Sequence, residues 1–143
     1  MGRARKLEIV PREWDADAER LLADLWDDPR DGAPHYDVLQ LRADVTAGHC
    51  QLYGVSEADR LVAVFVLRID QIGAELEFCV VAAAGGCPGI DLTANVVPVI
   101  QAWARDNGAH YVRVHTDRPG MLRKLGKLGF AMSEYVVRWR AAA

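Results

Sequence analysis

The spacing of hydrophobic positions changes along this chain, and each spacing predicts a kind of secondary structure. Apolar side chains in 14–26 recur every three or four residues, and those in 38–45 do the same, which predicts two helices. A loop rich in proline, glycine and aspartate, 27–34, separates them. From residue 50 to residue 82 the apolar positions alternate or run together, which is typical of strands.

Turn residues divide the strand region and the last third of the chain into further elements. Two apolar runs on either side of a turn at 56–59 predict an antiparallel hairpin. A helix is expected to begin near Thr93 or Asn95, because both are good N-cap residues and Pro98 would then fall close to the first turn. The predicted elements are strand 7–11, helices 14–26 and 38–45, strands 50–55, 61–69 and 74–82, the helix ending before Gly108, strand 110–115, helix 121–128 and strand 135–140. The order β-α-α-β-β-β-α-β-α-β predicts one α/β (α+β) domain over residues 1–143.

Composition agrees with an ordinary globular domain. The chain is 51% hydrophobic and 26% charged, and no apolar run approaches the roughly 20 residues that span a bilayer. The basic start has no apolar segment of a secretion signal after it, so we expect a cytoplasmic protein without a membrane partner. Cys50, Cys79 and Cys87 are odd in number and irregularly spaced, which argues against a disulfide framework or a zinc site. Cys50 and Cys79 lie in apolar runs, which is typical of core residues.

Charge is spread unevenly along the chain. Residues 1–104 hold nine basic and 17 acidic side chains, whereas residues 105–143 hold eight basic and three acidic ones. A basic C-terminal third is compatible with an anionic ligand such as the phosphates of a cofactor. A solvated face without a partner explains the same pattern. Nucleic acid is the weaker choice, because the overall pI is about 5.8 and aromatic residues do not accompany the basic ones.

Two stretches resemble the GNAT acetyltransferase superfamily. Residues 99–109, VIQAWARDNGA, are similar to the central helix of that family running into its fifth strand. Residues 123–130, RKLGKLGF, resemble the turn that closes the family's last helix. The preceding segment 118–121, RPGM, is similar to compact GNAT-like proteins of tailed phages and prophages. The resemblance implies a mixed, mostly antiparallel sheet flanked by helices.

The resemblance also implies a site for acetyl-CoA. In the family the fourth and fifth strands splay apart, and free backbone groups of the fourth strand bind the pantetheine arm, which here falls on Val80, Val81 and Ala82. The loop and helix N-terminus that follow bind the diphosphate through backbone N–H groups and the helix dipole. The residues that this implies for cofactor binding in the loop and the helix start are Gly85, Gly86, Gly89, Thr93 and Asn95.

The sequence departs from the family pattern in the diphosphate motif and in the last helix. Counting back from Trp103, Asp91 and Thr93 stand where the family has small residues, and Pro88 stands at its Gln or Arg position. An aspartate beside a diphosphate is electrostatically unfavourable. In the last helix many members have a tyrosine that protonates the leaving thiolate, and Leu125 stands at that place. An apolar side chain does no acid catalysis, so that role is absent or lies elsewhere.

Three titratable residues are candidates for the catalytic base. Glu75 and Glu77 project from the same side of the fourth strand, where the resemblance implies a carboxylate that deprotonates an amine; a polar strand face is the alternative. His115 ends the fifth strand beside Asp117 and is otherwise a structural or solvated histidine. The pair 35–36, His-Tyr, could line an acceptor pocket.

The function that the resemblance implies is acetyl-CoA-dependent N-acetyl transfer to an amine, with Glu77 as base. The alternative is a GNAT-like binding or structural module without catalysis, for example a phage-associated one. Its support is the altered diphosphate motif together with the leucine at position 125. We expect a small-molecule or protein amine as acceptor and no nucleic acid or metal, and a homodimer stays open.

Overall fold

The computed structural model describes residues 5–23, 38–116 and 118–134, together with positions 137, 139, 141 and 142. The end of the first predicted helix, the pair at 35–36, and Asp117 lie outside these residues, as does most of the predicted strand 135–140. The elements are β1 (Leu7–Arg12), α1 (Ala16–Ala23), α2 (Val38–Thr46), β2 (Gln51–Glu57), β3 (Arg60–Ile72), β4 (Glu75–Gly85), α3 (Leu92–Asp106), β5 (Tyr111–Val114) and α4 (Pro119–Lys127).

The described strands form one sheet in the order β1-β2-β3-β4-β5. The pairs from β1 to β4 are antiparallel, and β4 pairs with β5 in parallel. Helix α3 makes the crossover between these two parallel strands, as a parallel connection requires. The mixed, mostly antiparallel sheet confirms the predicted fold class. No helix within the described part of the chain has the length and apolar character to cross a membrane.

The sheet has a hydrophobic layer on each face. Alternate residues of β3 supply the two layers, since Phe65 and Leu67 pack with α3 while Val64 and Val66 pack with α1 and α2. The layer under α3 contains Phe78, Val80, Val96, Ile100 and Ala104, and the layer under α1 and α2 contains Ala18, Leu22, Leu41, Cys50 and Leu52. The sheet is therefore covered on both faces, and its helices are fixed by burial of their apolar stripes. All three cysteines are buried.

The hairpin between β2 and β3 is tighter than the predicted turn at 56–59. Its strands continue to Glu57 and start again at Arg60, which leaves Ala58 and Asp59 as the turn. Both have positive φ, 49° and 64°, as the two central residues of a type I′ turn require. Residues 56 and 57 are therefore strand residues, because this turn type matches the twist of the two strands.

The start of α3 also differs from the prediction. Asp91, and neither Thr93 nor Asn95, is the N-cap, and the helix begins at Leu92. Pro98 consequently lies inside the helix, where it has no N–H to donate to the preceding turn. The proline is exposed, so water can reach the carbonyl that it leaves without a donor.

Two adjacent glycines at the end of β4 differ in what the fold demands of them. Gly85 is the last residue of β4, and its φ of +124° is one that residues with a side chain rarely adopt. A methyl group there would meet the Val62 carbonyl oxygen and would lie 2.5 Å from Ala63 Cα. A methyl group on Gly86 would meet no atom within 4 Å. Gly85 is therefore required by the packing of β4 on β3.

We expect Gly85→Ala to lower the free energy of unfolding by about 3 kcal/mol, because strain and overlap with backbone act together. The exposed neighbour gives a matched control, since Gly86→Ala should change it by less than about 0.5 kcal/mol. Urea unfolding followed by circular dichroism measures both. Equal losses in the two variants would contradict this assignment.

Candidate functional site

Strand β4 loses its outer neighbour partway along its length. Strand β5 pairs with β4 from Glu77 to Val80, and the last pair is Val80 with Val114. Strand β4 continues to Gly85 and stays paired with β3 to that point. The backbone of 81–85 thus lies at a sheet edge that β5 does not cover. Such an edge offers N–H and C=O groups to an extended chain that contains amides.

A β-bulge lies at the place where the two strands part. The register between β3 and β4 steps from Leu67–Val80 to Val66–Ala82, so Val81 is an extra residue in β4. Up to this residue the side chains of β4 alternate between the two faces of the sheet, so Val81 lies on the α1–α2 face, as Glu77 does. Beyond the bulge Ala82 and Ala84 lie on that same α1–α2 face, because the extra residue shifts the alternation by one. A bulge also bends its strand, so β4 can diverge from β5 here.

The three residues predicted for the pantetheine arm lie on both sides of this point. Val80 is buried and is the last residue of β4 with a β5 partner. Val81 and Ala82 are half-buried and are the first two residues on the open edge. The open edge therefore begins one residue later than the resemblance implies, and the role of the three residues in binding stays a prediction.

The loop after β4 uses several of its polar backbone groups internally. The N–H of Gly86 donates to the Val62 carbonyl at 3.0 Å, and the N–H of Ile90 donates to the Cys87 carbonyl at 3.0 Å. Cys87 and Ile90 form an isolated bridge, and Gly89 between them has a φ of +80°. The loop is thus a closed turn whose hydrogen bonds run back into the protein.

Arg5, which lies just before β1, holds this turn in place. Its Nη1 donates to the Pro88 carbonyl at 2.5 Å, and its Nη2 lies 3.1 Å from Cys87 Sγ. Its Nε and Nη2 donate to the Glu57 carboxylate at 2.5 and 2.8 Å, and this hydrogen bonding lowers the pKa of Glu57. Sequence reasoning missed Arg5, because an arginine in a basic segment carries no sign of its partner.

An open cavity of about 380 Å³ lies near this clamp, between β1 and the first turns of α3. Its lining includes Lys6, Ile9, Asn95 and Val99. Strands β1 and β5 are opposite edges of the sheet, so the cavity is separate from the parting of β4 and β5. Asn95, predicted as a diphosphate ligand, lies on this side of the helix, and its side-chain amide donates to the Asp91 carbonyl at 2.7 Å.

The N-terminus of α3 is capped by an acidic side chain. Asp91 Oδ1 accepts a hydrogen bond from the N–H of Ala94 at 3.3 Å, and Lys124 Nζ of α4 lies 3.4 Å from the same oxygen. The bond from Ala94, with smaller contributions from Lys124 and from the N–H of Thr93, lowers the pKa of Asp91. The Thr93 hydroxyl itself is directed to Met121 Sδ at 3.7 Å.

These contacts decide how acetyl-CoA fits the site. The open edge of β4 suits the two neutral amides of a pantetheine arm, which need strand-like backbone partners. The start of α3 does not suit a diphosphate, because the Asp91 carboxylate already accepts the N–H groups that would bind it and carries charge of the same sign. The two halves of the implied cofactor site therefore differ in their fit.

A second cluster of charges lies on the α1–α2 face of the sheet, along the segment in which β4 and β5 are paired. Arg113 of β5 lies 3.0 Å from Glu77 and 3.3 Å from Asp70, and Arg68 lies 2.8 Å from Asp70. Arg113 also lies 3.7 Å from Glu134. Its hydrogen bond to the Cys79 sulfur, together with the Glu77 and Glu134 carboxylates, raises the pKa of the guanidinium. Within the described residues, no group of three or more His, Cys, Asp and Glu side chains could hold a metal ion.

The Glu77 carboxylate is mostly buried, with 13% of its side chain exposed. The Oε1 atom contacts Arg113 Nε, but the pair lacks hydrogen-bond geometry, and this buried oxygen accepts no hydrogen bond from the described residues. This carboxylate oxygen can therefore still accept a hydrogen bond. Sequence reasoning did not include Arg113, although an arginine flanked by valines in a strand signals a carboxylate partner.

The other predicted acid–base residues lie in different surroundings. Glu75 is the first residue of β4 and is exposed, whereas Glu77 is mostly buried. The two carboxylates therefore differ in solvent exposure although they lie on the same side of the strand. His115 follows the end of β5 and is exposed. Leu125 is 4% exposed in α4, where its carbonyl accepts from Phe130 N. Glu77 is the first residue of β4 that pairs with β5, whereas Glu75 precedes the paired segment.

No family model matches this chain, and no curated protein matches it by sequence. Solved structures do match it over nearly its whole length. A possible acetyltransferase from Clostridium difficile 630 has a TM-score of 0.73 at 12% identity, over 96% of this chain and 98% of that one. An acetyltransferase of Trypanosoma brucei has a TM-score of 0.70 at 17% identity, over 95% and 100%. An aminoglycoside N-acetyltransferase in complex with CoA has a TM-score of 0.65 at 13% identity, over 100% and 99%. The chain thus has the GNAT fold that its sequence resemblance predicts.

We expect Asp91→Ala to lower the thermal midpoint by a few degrees at pH 7, because the variant loses the cap. Since the pKa of Asp91 is lowered in the folded protein, its contribution is fully present above the unfolded-state pKa of an aspartate. The contribution is lost as the pH falls through the lower, folded value. The difference in the free energy of unfolding between the unmodified protein and Asp91→Ala should therefore shrink between pH 5 and pH 3. Urea unfolding at each pH measures it.

Asp91→Asn is the control for this experiment, since asparagine is also a good cap but does not titrate. At pH 7 the loss of stability in Asp91→Asn should be smaller than the loss in Asp91→Ala. A deficit of Asp91→Ala that is equal at pH 7 and pH 3 would contradict the charged cap.

Proposed function

We propose that this protein is an N-acyltransferase that moves an acyl group from a pantetheine thioester, acetyl-CoA being the one the resemblance implies, to an amine. The parting of β4 from β5 after the pair Val80–Val114 carries this proposal. It leaves a strand edge for the amides of the arm, and the charge cluster of Glu77 lies on the paired segment that precedes this edge. The GNAT fold of the solved structures supports it.

The reaction needs a proton acceptor and a place for the leaving sulfur. The amine nitrogen attacks the thioester carbon, the new C–N bond forms and the C–S bond breaks, while the amine loses a proton and the thiolate gains one. Glu77 is the proposed base, directly or through a water, because its Oε1 is buried, charged and without a hydrogen-bond donor in the described residues. Arg113 keeps this carboxylate at the β4–β5 junction.

The acceptor in this proposal is an amine that arrives as an ammonium ion. Glu77 takes the proton that frees the nitrogen lone pair, and the second proton, which nitrogen loses after the attack, goes to water. Three carboxylates, Asp70, Glu77 and Glu134, stand against two guanidiniums at the junction, which leaves a negative balance on the side from which an amine would approach. Leu125 is buried and apolar, so α4 offers no acid at the position of the family's tyrosine, and water is the proposed source of the proton for the thiolate.

A GNAT-like binding module without catalysis is the second candidate. The observation in its favour is Asp91, whose carboxylate takes the N–H groups with which the family binds a diphosphate. In that case the open edge of β4 would receive a segment of a protein partner in place of a thioester. Ligand binding separates the two candidates.

The proposed enzyme should be stabilised by its donor. At millimolar concentration S-acetylpantetheine, acetyl-CoA or both should raise the thermal midpoint by several degrees, since a ligand at about 100 times its Kd contributes about 2.7 kcal/mol. Differential scanning fluorimetry measures the shift, and pantothenate, which lacks the cysteamine end of the arm with its thioester and second amide, is the control ligand. The absence of any shift with both thioesters would overturn the enzyme proposal in favour of the binding module.

For the catalytic role of Glu77 we expect Glu77→Gln to lower kcat by about 100-fold or more, because the base is lost while the side chain keeps its size. Glu75→Gln is the matched control on the same strand and should stay within about twofold, since Glu75 is exposed at the strand start. Thiol release is followed with a panel of cationic amines as acceptors. A loss in Glu75→Gln that equals or exceeds the loss in Glu77→Gln would reject this assignment.

A further inference from the structure

The start of α3 and the loop before it are filled by the protein's own groups. The Asp91 carboxylate accepts from Ala94 N, and Asn95 N donates to the Asp91 carbonyl at 3.2 Å. In the loop, Gly86 N and Ile90 N donate to carbonyls of the protein. The backbone N–H groups of Gly86, Ile90, Ala94 and Asn95 are therefore engaged within the protein.

The loop is also held against rearrangement. Arg5 binds the Pro88 carbonyl and approaches the Cys87 sulfur while it is fixed by both oxygens of Glu57. Turning the loop's N–H groups outward would break this set together with the Cys87–Ile90 turn. A phosphate-binding form of the loop is thus opposed by contacts independent of Asp91.

Charge acts in the same direction. A diphosphate brings two negative charges to a helix end that already carries the Asp91 carboxylate, and the ammonium group of Lys124 is 3.4 Å from that carboxylate. The attraction of the helix dipole for an anion, and that of Lys124, are therefore largely satisfied within the protein.

None of these contacts touches the open edge of β4. The backbone of 81–84 lies on the other side of Gly85 from the loop and is free of β5. A pantetheine arm is neutral, and its two amides can pair along this edge whether or not a diphosphate follows. The two halves of the donor are thus bound by independent parts of the chain.

We propose that this protein recognises its acyl donor by the pantetheine arm and not by the diphosphate of CoA, with Asp91 as the residue that sets this specificity. The inference rests on the proposed function. Its substrate class is acyl thioesters of the pantetheine arm, either as small molecules or with the arm attached to a carrier protein. Acetyl-CoA then has no advantage over a donor that lacks the nucleotide.

The test compares the dissociation constants of S-acetylpantetheine and acetyl-CoA by isothermal titration calorimetry. For the unmodified protein we expect the two constants to agree within about threefold. In Asp91→Gly, which keeps a tolerated cap residue, acetyl-CoA should bind about tenfold tighter while S-acetylpantetheine changes by less than about twofold. Asp91→Asn removes the charge but keeps the acceptor, so it should give a smaller gain.

A matched control lies at the other end of the same helix. Asp106→Asn removes an exposed charge from the last residue of α3, about 22 Å from the cap at 1.5 Å per residue, and should change neither constant. A third donor, acetylated phosphopantetheine on a carrier protein, is titrated to distinguish a carrier-bound arm from a small-molecule thioester. Tighter binding than S-acetylpantetheine assigns the carrier-bound arm, and equal or weaker binding assigns the small thioester.

Two results would overturn the inference in distinguishable ways. Acetyl-CoA binding to the unmodified protein at least tenfold tighter than S-acetylpantetheine overturns the inference and leaves the proposed function standing. Binding of neither thioester overturns both. The comparison with the unmodified protein decides the matter even where Asp91→Gly fails to fold.

Discussion

The pairing of β4 on its two sides is the constraint on which the rest of this structure depends. On the β3 side the ladder runs to Gly85, and on the β5 side it stops at Val80. The backbone groups of a strand need hydrogen-bond partners. A strand that is paired on one edge and open on the other can therefore take these partners from water, a ligand or another chain. The bulge at Val81 is the local device that allows both arrangements in one strand.

The charged groups near this strand divide into two sets with different consequences. At the β4–β5 junction, the arginines and carboxylates are partly buried and compensate each other across neighbouring strands. Around the loop and the start of α3, Arg5 and Asp91 instead satisfy the protein's own backbone. The first set leaves an acceptor oxygen available on Glu77. In the second set, Asp91 accepts a backbone N–H group at the start of α3, which is then not available to a ligand.

The fold could be predicted from the sequence because it rests on repeated patterns. The helical spacing of α1 and α2, the alternation in β2 to β4 and the segment 99–109 each agree with the structure and with one another. The site was less predictable, because its geometry depends on single residues. A bulge leaves no periodic trace, and nothing in the sequence near Arg5 indicates a partner at Pro88. The helix start was misassigned since Asp91, Thr93 and Asn95 are all good caps, and only packing selects one of them.

The Arg5 clamp has a consequence for the order in which this molecule folds. It joins residues 83 positions apart in the chain, so the loop at 87–90 can take its final form only after β1 has joined the sheet. The hairpins β2–β3 and β3–β4 close over short distances and can form first. The shape of the loop beside the candidate site accordingly depends on a side chain that precedes β1, far from the loop in sequence.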